Sequence, residues 1–484
     1  MMKSLLKLAA ILLLAGFPLA AQDKAAEESL LDVNRKIIAE IADHSEQMEN
    51  LRYLTDIIGP RLTGTAALQR ANEWTAERFR AYGLTNVHLE AWSIAHSWKR
   101  GSARARVVSP TLQPLVAEAA GWSPDTAGTV RGRLVYVSAK KAEDLEPLRG
   151  KLRDTIVITT EPTARQRVEE RPVQPREPRP EPDFEALRRF AAERDAFFKE
   201  EGVLGVLRDS DKSNGLFQMS TAGREFKPAP LATAYLSPES YDLLWRLLQN
   251  EKEVVLELNL EGNEFSEGPV EVYNTVAELP GSEKTDEVVI LGAHLDSWDL
   301  ATGATDNGTG VTAVLEAARA LVKLGVRPRR TIRFVFFTGE EQGLHGSREY
   351  VEAHKDELEK FSAVLVHDSG TGRVETIALQ GNPQAYDVVR EAMAPFRQLI
   401  GMKELSLQSS RGSDHHSFNR RGVPGFFCSL ERANYGQTHH SQADTFDKVV
   451  RDDVVNGAQV LAVFAYNIAQ LDSLLPRRPA EPAQ

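Results

Sequence analysis

Apolar residues recur along this chain in two rhythms. Leu30, Leu31, Ile37, Ile38 and Ile41 lie near helical spacing within the polar stretch 22–50. Residues 66–82 keep the same period and stop before Gly83, which predicts a helix ending there. Between these segments, Ile58-Gly59-Pro60 is a turn signal. Residues 87–93, 104–108, 130–137, 154–159, 202–208 and 231–236 are short apolar or β-branched runs and predict strands. From Glu271 onward the pattern changes. Apolar runs at 287–291, 331–337, 363–366 and 424–429 alternate with helical stretches at 310–324, 345–355, 383–396 and 452–471. Strands alternating with helices predict an α/β fold with a mostly parallel central sheet and helices on both faces. The β-rich stretch 109–262 then reads as an inserted domain, which divides the sheet-bearing domain into residues 22–108 and 263–484.

Three segments fall outside these rhythms. Residues 161–183 are rich in Pro, Arg and Glu, bury little apolar surface and predict an exposed loop. Residues 184–200 predict a charged amphipathic helix. Residues 1–21 carry Lys3 and Lys7 ahead of the apolar run 8–21, which ends in small residues. That run is shorter than the roughly 20 residues a spanning helix needs, so it reads as a secretory signal peptide and the mature protein as exported, periplasmic or secreted.

Composition narrows the chemistry. The 484 residues are 42% hydrophobic and 26% charged, near globular averages, which argues against a disordered chain. The net charge of −11, without a basic run, disfavours nucleic acid as a partner. Cys428 is the one cysteine, so neither a disulfide nor a Cys-rich zinc module can form within the chain. A metal site must use histidines and carboxylates.

Such residues cluster just after the predicted strands, where open α/β sheets place their sites. The clusters are His294-Leu295-Asp296, Thr305-Asp306-Asn307-Gly308, Gly339-Glu340-Glu341, His367-Asp368 and His439 to Thr445. Each has an ordinary explanation alone: a surface pair, a turn, or acids at a helix start. Together, in this order on alternating elements, they fit a borderline cation such as zinc. With His294, Asp306, Glu341, Asp368 and His440 as ligands, two zinc ions and a bridging hydroxide leave the group neutral. Asp306, central in a Gly-rich loop, is the natural bridge. Glu340 remains free beside Glu341 to take a proton from the attacking water. Asp296, two residues from His294 on the same side of a strand, can hold the other imidazole nitrogen.

These stretches resemble the co-catalytic zinc exopeptidases that include bacterial leucyl-type aminopeptidases and carboxypeptidase Q. The carriers are His294 to Asp299, Gly303 to Gly310, Thr338 to Gly343, His367 to Gly370 and His440 to Thr445. The segment Leu54 to Gly64 and the insertion ahead of the first ligand strand resemble the carboxypeptidase Q type, whose insertion is a protease-associated domain. The resemblance implies that His294, Asp306 and Asp368 hold one zinc, and that Asp306, Glu341 and His440 hold the other. It further implies Glu340 as general base, a cis Asp306–Asn307 peptide bond and a substrate with a free α-amino group. Ser413 to Phe418 also resembles a family segment, placing Asp414 and His415 at the substrate pocket.

The reading is a secreted di-zinc metallo-exopeptidase with unblocked dipeptides or short peptides as substrates. A homodimer is implied by analogy alone. Two rivals share the scaffold. One is a transferase like the glutaminyl cyclases, with a single zinc; the other is a peptide-binding protein that has lost catalysis. The complete ligand set argues against both.

Overall fold

In a computed structural model the chain is described at residues 19–163, 184–250, 253–400, 402–410 and 412–479. Residues 1–18 of the expected leader and 164–183 of the expected Pro-rich loop lie outside these.

Two sheets organise the protein. The first has seven strands, in the order Thr85–Ile94, Val270–Leu279, Arg330–Phe337, Lys284–His294, Phe361–Val366, Gly425–Leu430 and Val374–Ala378. The four neighbours from Arg330–Phe337 to Gly425–Leu430 pair in parallel, and the pairings beyond them on either side are antiparallel. Every residue of Arg330–Phe337 and of Phe361–Val366 is buried, as parallel strands covered on both faces require. Alternate side chains separate into two cores. Val289, Leu291, Phe334 and Phe336 pack on one face with Phe79, Val314 and Leu461, from the helices Ala66–Tyr82, Thr309–Lys323 and Arg451–Ala469. Val288, Ile290, Val335 and Phe337 pack on the other with Tyr350 and Phe418, from the helices His345–Ala353 and His415–Asn419.

The helix Ala66–Tyr82 has the bounds its periodicity predicts. Thr65 caps it by accepting from the Leu68 amide, and Gly83 closes it at φ 95°, where a side chain would be strained. Two strands of this sheet escape the apolar pattern. Val374–Ala378 is a short edge strand with half-exposed polar residues. Val270–Leu279 carries buried Asn274 and Thr275, which hydrogen-bond with neighbouring elements: Asn72 Nδ2 donates to Thr275 Oγ1 at 3.0 Å.

The second sheet has eight strands, ordered Gln113–Leu115, Ser102–Ser109, Val255–Glu261, Val130–Tyr136, Thr155–Ile158, Gly205–Asp209, Thr233–Leu236 and Ala117–Ala119. It takes in Ser102–Ser109, ahead of residue 109, and it carries two helices, Phe184–Glu201 and Pro238–Asn250, the second without a counterpart in the sequence pattern. The chain enters and leaves this unit through one antiparallel ribbon, Trp98–Lys99 against Glu264–Phe265. Among the described residues no helix is long and apolar enough to cross a membrane.

Candidate metal centre

The polar clusters meet at the carboxyl ends of the parallel strands. His294 ends its strand; Glu340 and Glu341 follow the neighbouring Arg330–Phe337; Asp368 follows Phe361–Val366 on the other side. Asp306 lies on the loop that leads into the helix Thr309–Lys323, and its peptide bond to Asn307 is cis. Side chains would not fit around this loop. A Cβ on Gly310 would come within 2.3 Å of the His367 carbonyl, and one on Gly303 within 2.3 Å of Ser297 Cβ.

Asp306 faces both ways. Its Oδ1 lies 3.3 Å from His294 Nε2, and its Oδ2 lies 3.6 Å from His440 Nε2. On the inner side Asp368 Oδ1 is 3.2 Å from the same His294 nitrogen. On the outer side Glu341 Oε2 is 2.8 Å from His440 Nε2. His439, not among the expected ligands, stacks on His440 with ring centroids 3.7 Å apart and brings Nε2 to 3.9 Å from Asp306 Oδ2. Two groups of three could therefore each surround a cation: His294, Asp306 and Asp368, and Asp306, His439 and His440.

The chemistry of this donor set fits a divalent cation. Asp306 Oδ2 and both oxygens of Glu341 are buried and accept no hydrogen bond. Buried carboxylates left in that state are costly unless an opposite charge joins them. Burial pushes Glu341 well above the usual carboxylate range, and Asp306 adds to the rise. Glu340 is raised well above it too, by burial and by Asp368, Asp414 and Glu341 against the opposing charge of His294. Burial works against a charge on His294, but Asp368 and Glu340 outweigh it and raise the imidazole. Asp306 goes the other way: despite burial, His294 and His440 hold it below the ordinary range.

Asp296 meets His294 Nδ1 through its backbone carbonyl at 3.0 Å, with its carboxylate at 3.7 Å. That carboxylate instead accepts the Glu340 and Glu341 amides, both at 3.3 Å, and the Thr63 hydroxyl at 3.1 Å. It fixes the turn that presents both glutamates. Asn274 closes the same turn, accepting from the Thr338 amide and donating to the Gly346 carbonyl.

Asp414 and His415 line no open pocket, because both are fully buried. His415 Nε2 bonds the Ser410 carbonyl at 2.9 Å, and burial lowers its imidazole to about 4. Burial, with Asp368 and Asp296 near and His294 opposing, pushes Asp414 up to about 7. These two residues sit beneath the centre, and substrate contact there has no support in their placement.

Two further residues, inside the stretches 439–445 and 54–64 but given no role there, build the centre. Asp444 accepts the Thr305 and Asp306 amides at 2.6 and 3.1 Å and so holds the bridging loop. Arg61 is wholly buried and donates to the carbonyls of Leu295, Thr302 and Gly303 at 2.7–2.8 Å. Burial lowers this guanidinium to about 10, with Asp444 and Asp296 opposing the shift. Arg61 binds peptide groups rather than an acid, which side-chain patterns cannot reveal.

Comparison with known proteins bears on the same residues. The model of peptidase family M28 matches residues 274–465, which include every expected ligand. Carboxypeptidase Q of Rattus norvegicus is 31% identical over 431 residues, 89% of this chain and 86% of the relative. The crystal structure of a peptidase M28 precursor from Shewanella amazonensis superposes with a TM-score of 0.78 at 30% identity, covering 94% of this chain and all of that one. A zinc aminopeptidase from Bacillus subtilis shares the fold at 19% identity, with a TM-score of 0.62 over 86% of this chain and 93% of that one. With acids and imidazoles converging at the strand ends and relatives aligned along nearly the whole chain, this protein belongs to peptidase family M28 and is a metallopeptidase.

Proposed function

We propose that the protein is an exported di-zinc exopeptidase that cleaves the N-terminal peptide bond of unblocked short peptides, dipeptides foremost. The observation that carries this reading is Asp306, whose two oxygens face His294 and His440 separately, as a bridge between two ions would. Zinc and an unblocked N-terminus are further suggested by the zinc aminopeptidase that shares the fold, and exopeptidase action by carboxypeptidase Q. The leader-like residues 1–21 support export, and the eight-stranded unit is read as the protease-associated insertion.

Zinc ions bound here would polarise the scissile carbonyl and acidify the attacking water. His294 and Asp368 would hold one, Glu341 and His440 the other, with Asp306 shared. The chain's own work is proton transfer and positioning. Glu340 takes the proton of the attacking water and returns it to the departing amine. Glu340 stands beside the ligand Glu341 but outside the ligand set, which leaves its carboxylate free for this transfer. Asp296 keeps Glu340 and Glu341 in register through their amides.

The test is a hydrolysis panel with the zinc-replete protein: a free-amine dipeptide, a longer free-amine peptide, an aminoacyl anilide and the N-acetylated form of each. The expected result is chelator-sensitive cleavage of the free-amine dipeptide, with its acetylated form untouched. Cleavage of longer peptides and anilides at equal efficiency would replace the dipeptide preference with a general aminopeptidase. Absence of chelator-sensitive hydrolysis throughout would overturn the reading.

A further inference from the structure

On one side, Thr438 and Asp444 tie the loop that carries His440 to Thr305 of the peptidase unit. On the other, that loop is gripped by residues 212–219, which belong to the eight-stranded unit between Gly205–Asp209 and Thr233–Leu236. Lys212 Nζ donates to the carbonyls of Gly436 and His439 at 3.0 and 2.8 Å. The Met219 amide donates to the His440 carbonyl at 2.9 Å. The Phe217 amide donates to Gln442 Oε1, and Gln442 Nε2 donates back to the Gly215 carbonyl, both at 2.9 Å. Inside this clamp Gln218 Nε2 lies against both stacked rings, 3.2 Å from His440 Nδ1 and 3.4 Å from His439 Nδ1, with its amide oxygen turned away. No other described side chain partners His440 Nδ1. The Nε2 atoms of both rings face Asp306 Oδ2.

A neutral imidazole carries one proton, and its partner decides where. An amide NH2 group turned toward Nδ1 requires a lone pair there and puts the proton on Nε2, where it blocks a cation. An amide oxygen turned toward Nδ1 accepts Nδ1–H and leaves the Nε2 lone pair free for ligation. Half a turn about the last carbon–carbon bond of Gln218 exchanges the two ends.

We propose that Gln218 is a positioning residue of the metal centre: its amide oxygen fixes the Nδ1–H tautomer of His440, so the eight-stranded unit sets the affinity of the outer cation. This rests on the reading of His440 as a ligand. Histidine ligands donate their second ring nitrogen to such acceptors, whose loss lowers metal affinity by about 10–100-fold.

The experiment titrates the metal-free full-length chain with Zn2+ against a chromophoric chelator, for the wild type and the variants Gln218→Met, Gln218→Glu and His440→Ala. His440→Ala identifies the outer site by abolishing it. Gln218→Met is expected to weaken that same site by about 10–100-fold and leave the inner site unchanged. Gln218→Glu, which keeps an acceptor oxygen, is expected to restore it. In the Co2+-substituted protein, the shifted proton resonance of the His440 Nδ1–H should persist with Gln218→Glu and vanish with Gln218→Met, which a packing role alone would not produce. Wild-type affinities in Gln218→Met, equal weakening of both sites, or failure of Gln218→Glu to restore the outer one would each overturn the proposal. Two wild-type sites in His440→Ala would instead overturn the ligand reading on which it rests.

Discussion

Among the buried charges of the peptidase unit, two groups follow opposite rules. On the helix Thr309–Lys323, Glu316 is wholly buried and Arg319 forks onto it at 2.7–3.1 Å, while the second Arg319 branch reaches Glu40 at 2.8 Å. Glu316 Oε2 also accepts the Glu46 amide. Both of its oxygens are satisfied from within. At the metal centre, Glu341 has neither oxygen hydrogen-bonded, and Asp306 has one left over. Charge paired internally is architecture. Buried charge left without a hydrogen bond is prepared for something that arrives from outside.

The sharpest contrast comes from removing one group of each kind. Glu340→Gln should lower kcat by about 10²–10⁴-fold, the range of general-base catalysis, with zinc content unchanged by metal analysis. A near-normal kcat would move the base elsewhere. Arg319→Met should do the reverse. Breaking a buried pair leaves Glu316 uncompensated, so chemical unfolding should show a loss of about 3–5 kcal/mol, while the folded fraction keeps its kcat. Lost activity with intact stability would erase the distinction between the two groups.

Glu341→Gln should act on both properties in opposite directions. It removes one of several crowded negative charges, so the metal-free protein should gain about 1 kcal/mol and melt higher, while one zinc per chain is lost. A lower melting temperature would mean that His440, 2.8 Å from Glu341 Oε2, already satisfies this carboxylate. The smallest effect lies away from the centre, at His354 and Glu90, 3.0 Å apart and partly buried. Burial opposes charge on His354, but Glu90 outweighs it and raises the imidazole above its ordinary value. A group raised on folding stabilises fully below its unfolded value, roughly 6.5 for histidine, and that contribution fades as pH climbs through the folded value. Relative to His354→Gln, wild-type stability should therefore decline above about pH 6.5, by less than about 1 kcal/mol. Parallel melting curves would show the pair to be silent.

Much of this was legible in the residues. The parallel strands and their covering helices follow from apolar runs and helical periodicity, since burial on both faces leaves no polar alternation to confuse the pattern. The residues expected as ligands do converge, because their chemistry has few other uses at a strand end. What stayed illegible depends on backbone groups and distant neighbours. Arg61 acts through carbonyls, and Val270–Leu279 hides the buried polar pair Asn274 and Thr275, which breaks its apolar pattern. Gln218 reaches a histidine more than two hundred positions away. Asp414 and His415 were recognisable by likeness, yet their burial, a property of packing, decides what they can touch.

The ribbon Trp98–Lys99 against Glu264–Phe265 carries a consequence for descent. Because the eight-stranded unit departs and returns through paired strands about 4.8 Å apart, a two-residue hairpin could close the gap if the unit were deleted. The strand order of the seven-stranded sheet would survive such a deletion unaltered. The unit is thus a cassette in its connections though not in its packing, since its core is shared with Leu62, Ile94, Val272 and Trp298, and its clamp on the His440 loop ties its loss to the metal centre.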